Sequence, residues 1–124
     1  MSFKDFIKKK KNCAIDFDGV IHSYHKGWYD GSIYGYVIPG AKEAIDKLKN
    51  DYNIIIYTAR IIGNQDAIYD IEKFLIDNDI YYDEIKEKII AEFYIDDRAI
   101  RVDPENNYKW EDIWDQVNLI KRKK

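Results

Sequence analysis

Cysteine and methionine occur once each in this chain, and proline and histidine twice each, among 124 residues. The single cysteine, Cys13, lies inside an apolar run, so no internal disulfide framework exists. With only His22 and His25 to join it, a zinc site of the usual nitrogen and sulfur ligands is short of donors. No stretch approaches the ~20 apolar residues of a membrane span, and none has the layout of a secretory signal. A soluble, reducing, cytoplasmic setting with no membrane contact is expected. Basic residues do not dominate either, since the formal charge is −3. Met1 to Asn12 carries five lysines against one aspartate, and Lys121 to Lys124 is wholly basic. Setting aside +4 for each end leaves −11 for the body from Cys13 to Ile120. An acidic body excludes a broad nucleic-acid surface, and the ends, 1–12 and 121–124, read as disordered solubilising tails. The length fits one domain, 1–124, which buries roughly two-thirds of its unfolded surface without needing a metal or disulfide to fold.

What is present is a set of apolar strands that end in polar groups. Cys13-Ala14-Ile15 runs into Asp16-Phe17-Asp18-Gly19, Ile54-Ile55-Ile56-Tyr57 ends in Thr58, and Phe93-Tyr94-Ile95 ends in Asp96-Asp97. Between them, Ala41, Ala44, Ile45 and Leu48 recur at helical spacing after Pro39-Gly40, and Ile68, Ile71, Phe74 and Leu75 after Gly63-Asn64. The order predicts strands over Cys13–Asp16, Asn53–Thr58 and Glu92–Ile95, with helices from Gly40 and up to Asn78. Such alternation signals an α/β, three-layer Rossmann-like fold with a mostly parallel central sheet. Ile100-Arg101-Val102 adds a short further strand candidate, and Trp110, Ile113, Trp114, Val117 and Ile120 stripe a closing helix whose tryptophans read as core. In open parallel sheets ligands bind outside the carboxyl ends of the strands, which predicts a site of Asp16, Asp18, Thr58, Asp96 and Asp97.

Two other readings of these acids fit less well. A calcium loop wants further oxygen ligands at short spacing after a helix, whereas Val20, Ile21 and His22 follow here, after a strand. A phosphoacceptor or phosphate-sensing module, the non-enzyme alternative, has an early acidic pair and a lone later acceptor, the reverse of the order seen. Four carboxylates within a few ångströms repel by on the order of 4 kcal/mol per pair at an effective dielectric near 20. Such a site must hold cations or protons. Oxygen-only ligands point to Mg²⁺, and a lysine alongside would let one carboxyl keep a proton as general acid. Lys86 and Lys88 both precede the last acidic strand, and spacing alone does not choose between them.

Taken together these residues resemble the haloacid dehalogenase superfamily of phosphohydrolases. Ile15-Asp16-Phe17-Asp18-Gly19-Val20 is similar to its first motif, Ile56-Tyr57-Thr58 to its second and Tyr94-Ile95-Asp96-Asp97 to its fourth. The likeness is nearest to small phage and bacterial members, through His22-Ser23-Tyr24, Gly27-Trp28, Pro39-Gly40-Ala41 and Ile95-Asp96-Asp97-Arg98-Ala99. Lys88 keeps those members' spacing to the last motif, although Lys-Pro often stands where this chain has Lys88-Ile89. The resemblance implies a Mg²⁺-dependent phosphatase in which Asp16 forms an aspartyl-phosphate and Asp18 acts as acid and then base. It implies metal held by Asp16, the Asp18 carbonyl, Asp96 and Asp97, with Thr58 and Lys88 on the phosphoryl oxygens.

The superfamily often carries a cap domain, and Ile21 to Ile38 is too short for one. Its aromatic residues and glycines suit a flap of two short strands beside the site. His22, Arg60 and Arg98 are candidate substrate contacts. An open site suits a phosphorylated small molecule or a nucleic-acid end as substrate, with polynucleotide 3′-phosphatase or nucleotidase as the specific alternatives, or closure by a second copy in a homo-oligomer.

Overall fold

The computed structural model describes residues 10–122; the tail reading of 1–9 and 123–124 lies outside them, whereas Lys11 and Asn12 belong to the first strand and Lys121 and Arg122 to the last helix, which corrects it there. Three parallel strands, β1 (Lys11–Asp16), β2 (Tyr52–Thr58) and β3 (Glu84–Glu87), form an open sheet in that spatial order. Helix α1 (Ala41–Leu48) follows β1, α2 (Ala67–Asp77) follows β2, and α3 (Trp114–Arg122) closes the described chain. The arrangement is the α/β, Rossmann-like parallel sheet that the alternation predicts. None of its helices is long and apolar enough to cross a membrane.

Strand β2 is the centre of the sheet. Ile54, Ile55 and Ile56 are consecutive and all buried, and since neighbours on a strand point to opposite faces, both faces of β2 are covered. Helix α1 buries Ala41, Ala44, Ile45 and Leu48, and α2 buries Ala67, Ile71, Phe74 and Leu75, each a stripe at three-and-four spacing. Gly40 enters α1 with φ +88°, a conformation that favours glycine. The Trp110 indole is core, as expected, and its Nε1 donates to the Val20 carbonyl at 2.7 Å. That bond ties the end of the chain to the loop after β1. The stripe from Trp110 to Ile120 is broken into a 3₁₀ turn, Trp110–Asp112, and then α3.

The third strand is a correction to the sequence reading. Glu92–Ile95 does not join the sheet, whereas Glu84–Glu87 does. Three of the four β3 residues are exposed, as suits a charged edge strand, so no apolar run marks it. Conversely, Ile89, Ile90, Phe93, Tyr94 and Ile95 are half or more exposed. A short apolar run has the same composition whether a sheet covers it or not, and periodicity does not separate the cases. Ile100–Val102 also forms no strand, and a bridge between Asp103 and Tyr108 follows instead. Nor is the flap a strand pair: its only ladder-like contact among the described residues is the antiparallel bridge of His22 with Val37, beside the bridge of Asp18 with His22.

Registration brings the strand ends together. Asp16 lies opposite Tyr57 and Thr58 opposite Glu87, so all three strands finish at one edge. The chain then turns around Phe17, whose side chain is wholly buried and meets Phe74 edge-to-face at 5.4 Å. Phe17→Ala is expected to cost about 3–5 kcal/mol, the usual loss for a buried Phe, read as a lower urea midpoint at unchanged slope. A loss under ~1 kcal/mol would show that the loop is anchored elsewhere.

Candidate functional site

Alternation along the chain decides which way the acids face. With Phe17 driven into the core, Asp16 and Asp18 on either side of it are left half-buried at the carboxyl edge of the sheet. The loop then closes on the Phe17 carbonyl, which accepts from the N–H groups of Ile21 at 2.9 Å and His22 at 3.0 Å. Gly19, at φ +81°, makes that reversal available and donates to the His22 carbonyl at 2.7 Å.

Each acid has its own cation. Lys88 Nζ lies 3.3 Å from Asp16 Oδ2, while Asp16 Oδ1 accepts from the Phe17 N–H at 2.9 Å. Lys86 instead faces Glu84 at 3.5 Å with both side chains exposed, so the geometry selects Lys88. The Lys88 N–H still donates to the Thr58 carbonyl, extending the β2–β3 pairing by a residue, and its ammonium lies over the rings of Tyr57 and Tyr94. Thr58 is buried at the end of β2, where its hydroxyl accepts from the Arg60 N–H at 3.2 Å and opens a 3₁₀ turn, Ala59–Ile61.

Asp18 is gripped from two sides. Arg60 Nε donates to its Oδ2 at 2.6 Å and His22 Nδ1 lies 2.9 Å from its Oδ1. Both oxygens of Asp18 are thus engaged by the protein. Arg60 is itself buried, donates through Nη1 to the Gly31 carbonyl at 2.9 Å, and lies over the rings of Trp28 and Tyr24. Its Nη2 is buried with no hydrogen-bond partner among the described residues. Arg60, a substrate-contact candidate in the sequence, is thus first of all the partner of Asp18. That ion pair spans 42 residues, and no local pattern signals it.

The flap leaves and re-enters the fold at a narrow neck. Ser23 donates to the Tyr36 carbonyl at 2.9 Å and Ile38 to the Ile21 carbonyl at 2.8 Å. Tyr34 turns inward, its hydroxyl donating to the Gly27 carbonyl and accepting from the Lys26 N–H, each at 2.7 Å. Trp28, Tyr29 and Tyr36 are more than half exposed.

Asp96, Asp97 and Arg98 lie on the exposed chain that follows β3, just after Tyr94, whose ring lies under the Lys88 ammonium. Asp96 accepts from the Arg98 N–H at 2.7 Å. Among the described residues no three Asp, Glu, His or Cys side chains are placed to hold a metal ion. Asp16 is engaged by Lys88 and Asp18 by Arg60 and His22, so a bound Mg²⁺ would have to share or displace those partners. Asp18 still repels Asp16, and a protein cation beside each of the two acids offsets that repulsion.

No family model matches the chain, and no curated protein does. The crystal structure of an MCSG target from Vibrio cholerae is similar, with a TM-score of 0.64 and 24% identity over 92% of this chain and 99% of that one. At that identity the likeness concerns the fold, and function has to be argued from the site.

Burial pushes the Asp16 carboxyl above the ordinary carboxylate range, and the opposing pull of Lys88 and the Phe17 N–H does not cancel it. Its folded form therefore holds its proton more tightly than the unfolded chain does. The stability it contributes is present at low pH and is lost as pH rises through the folded value. Asp16→Asn is expected to melt above wild type at pH 7 in chelator-containing buffer, with the gap closing as pH falls below about 4. Equal midpoints at pH 7 would show that Lys88 offsets the burial in full.

Proposed function

We propose that this chain is a phosphomonoester hydrolase of the haloacid dehalogenase type, acting through an aspartyl-phosphate on Asp16. The observation that carries the reading is the meeting of Asp16 with Lys88 at 3.3 Å, at the edge where Thr58 ends the neighbouring strand. A carboxylate nucleophile, a cation to neutralise both it and a phosphoryl group, and a hydroxyl on the next strand are what phosphoryl transfer asks of a protein. Asp16 Oδ2 attacks phosphorus, the ester P–O bond breaks, and its electron pair leaves on the alcohol oxygen, which takes a proton from Asp18. Water then attacks the acyl phosphate, gives its proton to Asp18, and the carboxylate of Asp16 leaves.

Asp18 needs a free oxygen for the first of those protons. An incoming phosphate dianion offers Arg60 a competing anion, and a guanidinium drawn away from Oδ2 frees that position. Mg²⁺ belongs to this reading through the sequence resemblance alone, and no step above passes through it. On the substrate side, the exposed rings of Trp28, Tyr29 and Tyr36 favour a ligand with a ring to stack, such as a nucleotide or a nucleic-acid end. The acidic body weighs against a long polyanion.

The test is steady-state phosphate release from 4-nitrophenyl phosphate with Mg²⁺ or chelator. Asp16→Asn is expected to fall to background and Lys88→Ala by about 10²–10³ in kcat, the loss typical of one transition-state donor. Metal dependence in the wild type would assign the cofactor. A folded wild type that turns over nothing yet keeps a long-lived phosphate on Asp16 would replace the hydrolase with a phosphoacceptor module.

A further inference from the structure

His22 has no exposed surface and no place in the chemistry just described, yet both of its ring nitrogens are engaged. The Gly35 N–H lies 2.9 Å from Nε2, and Nδ1 lies 2.9 Å from Asp18 Oδ1. A backbone N–H only donates, so Nε2 must present its lone pair. The proton of the neutral ring is then on Nδ1, where it is given to Asp18. The ring is held in plane by its neighbours, stacked on Phe17 at 5.6 Å and met edge-on by Tyr34, Phe74 and Tyr24 at 5.2 to 6.1 Å.

Gly35 belongs to the flap, and its lack of a side chain is what lets its N–H reach the imidazole. A Cβ at that position would stand 2.7 Å from Nε2 and 2.1 Å from Ser23 Oγ. Seating of the flap and the aim of Asp18 are therefore linked through His22, beside the second link in which Gly31 of the flap holds Arg60. With the flap seated, His22 is confined to the tautomer that donates to Asp18. With it lifted, Nε2 loses its donor, the tautomers become interchangeable, and Arg60 loses the Gly31 carbonyl that holds it beside Asp18.

We propose that His22 is a positioning residue that couples closure of the 23–36 flap to the orientation of Asp18, so that the acid–base group is fully aimed only when the flap is down. The proposal rests on the reading of Asp18 as the acid–base residue. It predicts a signature that simple loss of packing does not produce. Help from an acid matters for a poor leaving group and little for nitrophenolate, so the damage should depend on the ester.

The experiment compares kcat and KM for 4-nitrophenyl phosphate and for a simple alkyl phosphate in wild type, Asp18→Asn, His22→Gln, His22→Asn and Gly35→Ala. Gln places its amide near Nε2 and can serve Gly35 only, whereas Asn places its N–H near Nδ1 and can serve Asp18. His22→Gln and Gly35→Ala are expected to lose about tenfold or more in kcat on the alkyl ester. On the nitrophenyl ester they should change by less than about threefold, with KM little moved, and His22→Asn should recover much of the loss. Nitrogen NMR of the wild-type imidazole is expected to find the proton on Nδ1, a readout that needs no turnover and no variant.

A proton on Nε2, or equal losses on both esters with no recovery by His22→Asn, overturns the coupling. The Asp18→Asn variant separates the two failures. If it spares the alkyl ester, the acid–base reading of Asp18 falls and the coupling with it. If it loses the alkyl ester while His22→Gln and Gly35→Ala do not, the coupling alone falls.

Discussion

Burial of Phe17 is the constraint on which the site depends. Its side chain is fully enclosed, against Phe74 and His22, and its carbonyl is where the following loop closes, through the N–H groups of Ile21 and His22. Because strand neighbours alternate, fixing Phe17 inward fixes Asp16 and Asp18 toward the sheet edge. The short loop brings His22 back beside Asp18, and the Trp110 indole holds the same loop from the far end of the chain through the Val20 carbonyl. One apolar side chain thus sets the attitude of three polar ones.

Charge is balanced inside the cluster rather than by an added ion. Asp16 faces Lys88 and Asp18 faces Arg60, both cations largely withdrawn from solvent, where such pairs are weakly screened. Withdrawing charges from water is costly, and breaking either pair by deleting one partner leaves an uncompensated charge behind. The arrangement has a chemical corollary. On the proposed phosphohydrolase reading, a phosphate entering here would meet two cations already committed to carboxylates, so that binding and rearrangement of those pairs would be one event. The flap is part of the same economy, since Gly31 holds Arg60 and Gly35 holds His22, both through backbone groups.

Much of the frame was legible from the chain. The isoleucine run of β2, the stripes of α1 and α2 and the Asp-x-Asp-Gly turn are local patterns, and each forms where it was expected. β3 was not legible, because an edge strand of Glu-Ile-Lys-Glu buries too little to leave a period. The apolar run before Asp96 carried the opposite error. Its composition suits a strand, yet it lies outside the sheet and leaves Asp96 and Asp97 on exposed chain rather than at a strand end. Of the five tyrosine and tryptophan rings of the flap, Tyr24 and Tyr34 are partly covered while Trp28, Tyr29 and Tyr36 face solvent, which a glycine-interrupted string of rings does not reveal.

The sequence by itself determined that this is an α/β chain with a parallel sheet and that Asp16, Asp18 and Thr58 stand at strand ends. Those facts follow from propensity and periodicity over a few residues. The resemblance pointed to Lys88 and the structure sets it, not Lys86, beside Asp16, but only the tertiary structure decided that Arg60 crosses to Asp18 and that a flap amide fixes the His22 ring. The physical reason is range. Helix and strand arise from interactions among near neighbours, whereas an ion pair or a shared imidazole joins residues tens of positions apart, and their meeting is set by register and burial that no local pattern encodes.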